Sequence, residues 1–177
     1  MMRLDYVLFR ADGSLAAVVE AKASRDTSPE WAAQFRRNLM EYPELPPAEF
    51  FVFVARDWIY LWRNAGTEAI LTPPHAVVPT APLLSRYFEG KSYTLETADG
   101  VVFDWTVGDW LWDLCGPWGK AGDLALEHGL AGTGFVEALR GGRIEYKDLD
   151  LSYMRCPPPP FWETATPCSH RDTEAQR

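Results

Sequence analysis

Two apolar segments flank an Asp-Gly pair near the start of the chain. Residues 4–9, LDYVLF, are rich in residues that favour β-strands, and Leu15–Ala21 is an almost continuous apolar run. The pair Asp12-Gly13 between them is typical of a two-residue hairpin turn. The pattern therefore predicts a β-hairpin. Its second strand lacks the alternation of apolar and polar residues expected when one face is exposed to solvent, so we expect it to be covered on both faces.

A polar stretch, residues 24–28, is followed by a segment with helical periodicity. Thr27 or Ser28 can cap a helix that has Pro29 in its first turn. Large apolar side chains then recur every fourth residue, with further apolar residues beside them: Trp31, Phe35 and Leu39, accompanied by Ala32 and Tyr42. This spacing predicts an amphipathic helix with one apolar face, and the prolines at 43, 46 and 47 predict its end.

A second pair of strands is predicted after this helix. Residues 50–55, FFVFVA, and 58–62, WIYLW, are apolar and aromatic, and Arg56-Asp57 lies between them as a turn. Strands interleaved with a helix indicate a mixed α/β (α+β) sheet flanked by helices.

The rest of the chain gives weaker patterns. Residues 72–82 suggest an extended connector, 83–88 a short helix, 93–103 a hairpin about Asp99-Gly100, 105–115 a helix and 133–140 another helix. Residues after 150 include a run of four prolines and a polar end, which predict a disordered tail. We therefore expect a core over residues 1–63, an α+β extension over 64–150 packed on that core, and a tail over 151–177.

Composition narrows the class of protein. The chain has 47% hydrophobic residues and eight Trp, so it should form a packed core. Its three scattered cysteines do not have disulfide or zinc spacing. Without a signal-peptide pattern or an apolar run of membrane-spanning length, we expect a cytoplasmic protein with no membrane partner.

Charge is distributed unevenly along the chain. The net charge is -8, which gives no general attraction for nucleic-acid phosphates. Residues 1–63 carry 8 Lys/Arg and 9 Asp/Glu, whereas residues 64–177 carry 9 and 16. The nearly neutral first third is therefore the better place for a site that binds an anionic substrate.

The predicted hairpin brings two acidic residues together. A two-residue loop at Asp12-Gly13 would place Asp5 directly opposite Glu20, and directly opposed side chains have Cβ atoms about 5 Å apart. Two carboxylates at that distance repel each other, and a divalent cation such as Mg²⁺ between them would remove this repulsion. Lys22 points to the same face of the strand as Glu20, so it could orient a water and stabilise negative charge.

These residues carry a resemblance to a known superfamily. Asp5, the hairpin, Glu20-Ala21-Lys22, the helix and the following strand pair resemble the PD-(D/E)xK nucleases, in particular the N-terminal nuclease domain of type I restriction enzyme R subunits and small standalone relatives. The resemblance covers about residues 3–63. It implies a restriction-endonuclease-like mixed sheet and a metal-dependent endonuclease of restriction or defence type that hydrolyses DNA.

The resemblance also implies roles for individual residues. Asp5, Glu20 and Lys22 would be catalytic, and Asp5, Glu20 and the backbone carbonyl of Ala21 would bind Mg²⁺ or Mn²⁺. Gln34 would be a substrate-binding residue, although Asn38 stands where the family often has Tyr. The family usually has a helix before its first motif strand, and only four residues precede Asp5, so this N-terminal helix is expected to be missing.

Two alternatives remain open at this point. Glu20 and Lys22 could form an exposed ion pair of little energetic weight. The chain could also be a catalytically inactive nuclease-fold remnant that acts as a protein-interaction module, with its aromatic residues forming a homodimer or contacting a partner subunit.

Overall fold

A six-stranded mixed sheet forms the centre of the molecule. The computed structural model describes residues 5–40, 47–63, 71–116 and 120–146. The strands lie in the order β5-β4-β3-β2-β1-β6. Their bounds are β1 (Tyr6–Phe9), β2 (Leu15–Ala21), β3 (Phe50–Val54), β4 (Trp58–Arg63), β5 (Ala76–Pro79) and β6 (Arg143–Tyr146). Strands β2 and β3 pair in parallel, and every other neighbouring pair is antiparallel.

Helices cover both faces of the sheet, but unequally. Helix α1 (Pro29–Met40) connects the parallel strands β2 and β3 and packs on one face. The other face is covered by α2 (Ala81–Leu84) with a following 3₁₀ turn (Ser85–Phe88), α3 (Gly100–Cys115), α4 (Lys120–Ala125) with a π-type turn (Leu126–Leu130), and α5 (Phe135–Leu139). The predicted mixed α/β architecture with flanking helices is confirmed.

Helix α1 begins where its sequence predicts, but it presents a different face to the sheet. The Ser28 hydroxyl accepts a hydrogen bond from the backbone N–H of Trp31 at 3.2 Å, so Ser28 caps the first turn. The buried residues are Ala32, Ala33, Arg36 and Met40. Trp31 is 44% exposed, so the predicted apolar stripe lies at the margin of the buried face and not at its centre.

The first hairpin has the predicted pairing but not the predicted loop. Gly13 has φ +83°, and hydrogen bonds from Gly13 N to Arg10 O and from Arg10 N to Ser14 O close a three-residue loop, residues 11–13. That loop alone would shift the register by one residue. An irregularity between Leu8 and Phe9 leaves Ala16 as an extra residue in β2 and shifts the register back, so that Tyr6 pairs with Val19.

The second hairpin, β3 and β4, has the predicted strands and turn. Phe51 pairs with Trp62, and Phe53 pairs with Tyr60. The carboxylate of Asp57 in the turn accepts hydrogen bonds from the N–H and hydroxyl of Thr27, which ties the turn to the segment that precedes α1.

The later part of the chain departs from the predicted elements. Residues 72–82 are not only a connector, because Ala76–Pro79 forms β5 at one edge of the sheet. Residues 93–103 do not form a hairpin. Asp99 instead caps α3, its carboxylate accepting a hydrogen bond from Val102 N at 2.8 Å. An Asp-Gly pair suits both a hairpin turn and a helix start, which explains the error.

The sheet also includes strands from beyond the predicted core. Both β5 and β6 come from the range 64–150, and β6 pairs with β1 at the opposite edge from β5. Helices near 105–115 and 133–140 are present as α3 and α5. The predicted tail, residues 151–177, lies outside the described residues.

Candidate active site

Asp5, Glu20 and Lys22 lie together at one end of the β1–β2 pair. Because Tyr6 pairs with Val19, the continuing register places Asp5 opposite Glu20. Glu20 lies between Val19 and Ala21, which both face α3, so its side chain points to the α1 face. Asp5 is 3% exposed and Glu20 is 2% exposed. An exposed ion pair of Glu20 and Lys22 is therefore excluded.

A network of hydrogen bonds joins the three side chains. The Lys22 ammonium donates to Asp5 Oδ2 at 3.1 Å and to Glu20 Oε2 at 3.0 Å. The backbone N–H of Ala21 donates to the same Asp5 oxygen at 2.9 Å. The Lys22 side chain is 44% exposed, so the cluster reaches solvent through its lysine.

Burial and proximity change the proton affinities of the two carboxyl groups. Burial, a hydrogen bond with Asp5 and the negative charge of Asp5 together raise the pKa of Glu20 to about 8. Burial would also raise the pKa of Asp5, but hydrogen bonds from Glu20, Ala21 N–H and the Lys22 ammonium hold it below its ordinary value. At neutral pH the pair therefore holds one proton, mainly on Glu20.

Lys22 responds in the opposite direction from a typical buried amine. Burial alone would lower its pKa, but the negative charges of Glu20 and Asp5 raise it above the ordinary value. The ammonium is therefore charged at neutral pH. It balances the single negative charge that the two carboxyl groups retain.

The backbone after β2 is fixed by β3 and by a buried arginine. Lys22 N–H donates to Val54 O at 2.9 Å, and Arg56 N–H donates to Ser24 O at 3.1 Å. The Arg56 guanidinium donates to the carbonyls of Ala23, Leu95 and Ala98. Arg56 thereby joins the segment after Lys22 to the loop that precedes α3.

Sequence reasoning assigned Arg56 only to a turn. The one available signal is that a charged residue stands between two apolar aromatic strands, where burial would require partners. Its partners are backbone carbonyls 33 to 42 residues away in the chain. No local pattern identifies such partners.

Gln34 is not part of this cluster. It is exposed on α1, and its side-chain amide donates to Asn38 Oδ1 at 2.8 Å, one turn along the same helix. That contact runs along the helix surface and does not reach the carboxyl pair. The structure thus brings together Asp5, Glu20, Ala21 and Lys22, and leaves Gln34 apart.

Among the described residues, the acidic side chains at this site that could bind a metal ion are Asp5 and Glu20. Within the parts of the chain that the structure describes, no group of three or more His, Cys, Asp or Glu side chains is arranged to hold a metal. Two carboxylates with hard oxygen donors nonetheless fit Mg²⁺, which commonly uses one or two carboxylates and completes its shell with water and phosphate. A cation would also replace the proton that the buried pair now holds.

Comparisons with known proteins add no family assignment. No family model, curated protein sequence or solved structure matches the chain. Among the described residues, none of the helices has the length and apolar character required to cross a membrane. The function must therefore be inferred from the geometry of the site.

Proposed function

We propose that the chain is a metal-dependent endonuclease-like domain of the PD-(D/E)xK type, which hydrolyses DNA phosphodiesters in restriction or defence. The observation that supports this is the buried pair of Asp5 and Glu20, bridged by the partly exposed Lys22. A purely structural role would not favour two neighbouring carboxyl groups that hold one proton in a buried position. The order of these residues on a β-hairpin is also that of the family they resemble.

Each residue has a defined part in the proposed reaction. Asp5, Glu20 and the carbonyl of Ala21 would hold Mg²⁺ or Mn²⁺. The cation would supply Lewis acidity towards a phosphoryl oxygen and a lowered pKa for a bound water. Lys22 would then exchange its contacts with the carboxylates for contacts with the attacking water and the phosphate. Its positive charge would stabilise the negative charge that develops on the phosphate.

The experiment compares DNA cleavage by the wild type and by Lys22→Ala. We expect Mg²⁺- or Mn²⁺-dependent cleavage of plasmid or single-stranded DNA by the wild type, and a loss of about 100-fold or more in the variant. Lys120, exposed at the start of α4, provides the matched control Lys120→Ala, which should cleave like the wild type. If the wild type neither cleaves nor gains melting temperature with Mn²⁺, the proposed function is wrong.

A second candidate function has one observation in its favour. Three large apolar side chains on α3 are exposed: Val101 at 59%, Trp105 at 68% and Trp112 at 59%. They belong to α3, which packs on the face of the sheet opposite to the one that the carboxyl groups face. An inactive protein-interaction module would use such a surface, as a homodimer or with a partner subunit. This alternative would be favoured if light scattering shows that the purified chain is a dimer and if the chain does not cleave DNA.

A further inference from the structure

Trp31 has the geometry of a supported aromatic platform. It lies in the first turn of α1 and is 44% exposed. Its ring stacks on Phe35 with 5.5 Å between centroids and 14° between planes. It also contacts Phe53 at 5.5 Å, so the indole is held from two sides while much of its surface faces solvent.

The platform adjoins the proposed catalytic cluster. Phe53 of β3 is the register partner of Glu20 in β2, and both side chains point to the α1 face. Adjacent strands are about 4.8 Å apart, so Phe53, which the indole contacts, lies beside Glu20 in the sheet. Of the other exposed tryptophans described here, Trp105 and Trp112 lie on α3 against the opposite face, and Trp58 begins β4 and is 39% exposed.

The charge of the protein gives little attraction for phosphates, so stacking would be the main source of affinity for DNA. The chain has a net charge of -8, and the Lys22 ammonium is already paired with two carboxyl groups. Phosphate attraction is therefore weak for this protein. Stacking of a base on an aromatic ring depends little on charge or on sequence, but it requires a base that is not paired in a duplex.

We infer that Trp31 is a stacking platform for an unpaired nucleobase next to the Asp5–Glu20–Lys22 cluster, so that the substrate is single-stranded DNA or an unpaired DNA end. This inference rests on the proposed function and assigns its substrate class. Trp31 would position the strand, and it takes no part in the bond-breaking step.

The test measures binding separately from cleavage. A single-stranded oligonucleotide of about 12 nucleotides with one 2-aminopurine is titrated with the full chain in Ca²⁺, and both its fluorescence and its anisotropy are followed. We expect quenching of 2-aminopurine by the wild type, and binding about tenfold weaker or more for Trp31→Leu. Trp31→Phe, which keeps an aromatic face, should retain most of the affinity.

Two controls separate stacking from a structural role. Trp105→Leu removes a more exposed tryptophan from the opposite side and should bind like the wild type. An oligonucleotide of the same length that is abasic at every position should bind the wild type and Trp31→Leu equally. Melting temperatures of the variants show whether each remains folded.

The outcomes distinguish this inference from the proposed function. If Trp31→Leu is folded and binds single-stranded DNA as the wild type does, or if duplex DNA binds as well as single strands, the inference is wrong even where plasmid cleavage occurs. If Trp31-dependent quenching occurs but no divalent cation supports cleavage, base stacking on Trp31 is supported and the proposed nuclease function is wrong.

Discussion

The two faces of the sheet are built differently. The α3 face is covered by four helices and a large apolar cluster that includes Phe103, Trp110 and Phe135, all fully buried. The α1 face is covered by one twelve-residue helix and includes the buried charged residues Asp5, Glu20 and Arg36. We therefore expect the α3 face to provide most of the stability, which would allow the other face to carry a partly open cluster of charged groups.

Truncating one aromatic residue on each face should give the largest contrast. Phe103→Ala removes a fully buried ring of α3, and we expect it to lower the free energy of unfolding by about 3–5 kcal/mol. Phe35→Ala removes a partly buried ring of α1 and should cost clearly less. Urea unfolding of both variants measures the difference. Equal losses would contradict the proposed division between the faces.

The first third of the sequence predicted its elements because its signals are local. The apolar run Leu15–Ala21 has the bounds of β2, and the strands on both sides of Arg56-Asp57 lie within a residue or two of those observed. The hairpin register was obtained although the loop was wrong. The three-residue loop and the extra residue Ala16 each shift the pairing by one, and the two shifts cancel.

The elements that were missed depend on distant partners. Strand β5 contains a proline and lies at an edge, and β6 follows four α-helices before it pairs with β1. Neither strand is longer than four residues, which is too short for a clear alternating pattern in the sequence. Their structure therefore depends on pairing within the sheet. The position of Asp5 opposite Glu20 could be argued from the hairpin, but the hydrogen bonds of Arg56 to residues 95 and 98 could not.

Arg56 joins the segment after Lys22 to the α3 face, and its loss should be the next largest effect. Arg56→Met keeps an unbranched side chain over the Phe103 ring but leaves the carbonyls of Ala23 and Leu95 without this donor. We expect a loss of about 2–4 kcal/mol in the free energy of unfolding. Amide hydrogen exchange should increase in residues 22–28 and 95–99.

The exposed Arg140, which follows α5, provides the control Arg140→Met, which should change stability little. If Arg56→Met unfolds at the same urea concentration as the wild type, the guanidinium does not fix the segment after Lys22. The cluster would then depend on the β2–β3 hydrogen bonds alone.

The smallest predicted effect concerns the pH dependence of the metal-free protein. The pKa of Glu20 rises from an ordinary 4.5 to about 8 on folding, so the folded state binds the proton more tightly than the unfolded state. The resulting stability is fully present below pH 4.5 and is lost as the pH rises through about 8. Asp5 has a lowered pKa, so its contribution is lost only in the acid range, as the pH falls.

Thermal unfolding in EDTA between pH 6 and 7 isolates the Glu20 contribution. The stability of the wild type should fall by up to about 1.4 kcal/mol over that unit, whereas Glu20→Gln, which keeps the shape but cannot ionise, should lack this decrease. Glu137→Gln, on the exposed side of α5, shows the effect of replacing a Glu by Gln at a site outside the cluster. If the wild type and Glu20→Gln have parallel profiles, the carboxyl pair does not hold a proton at neutral pH. The repulsion between Asp5 and Glu20, which a cation is proposed to offset, would then be absent.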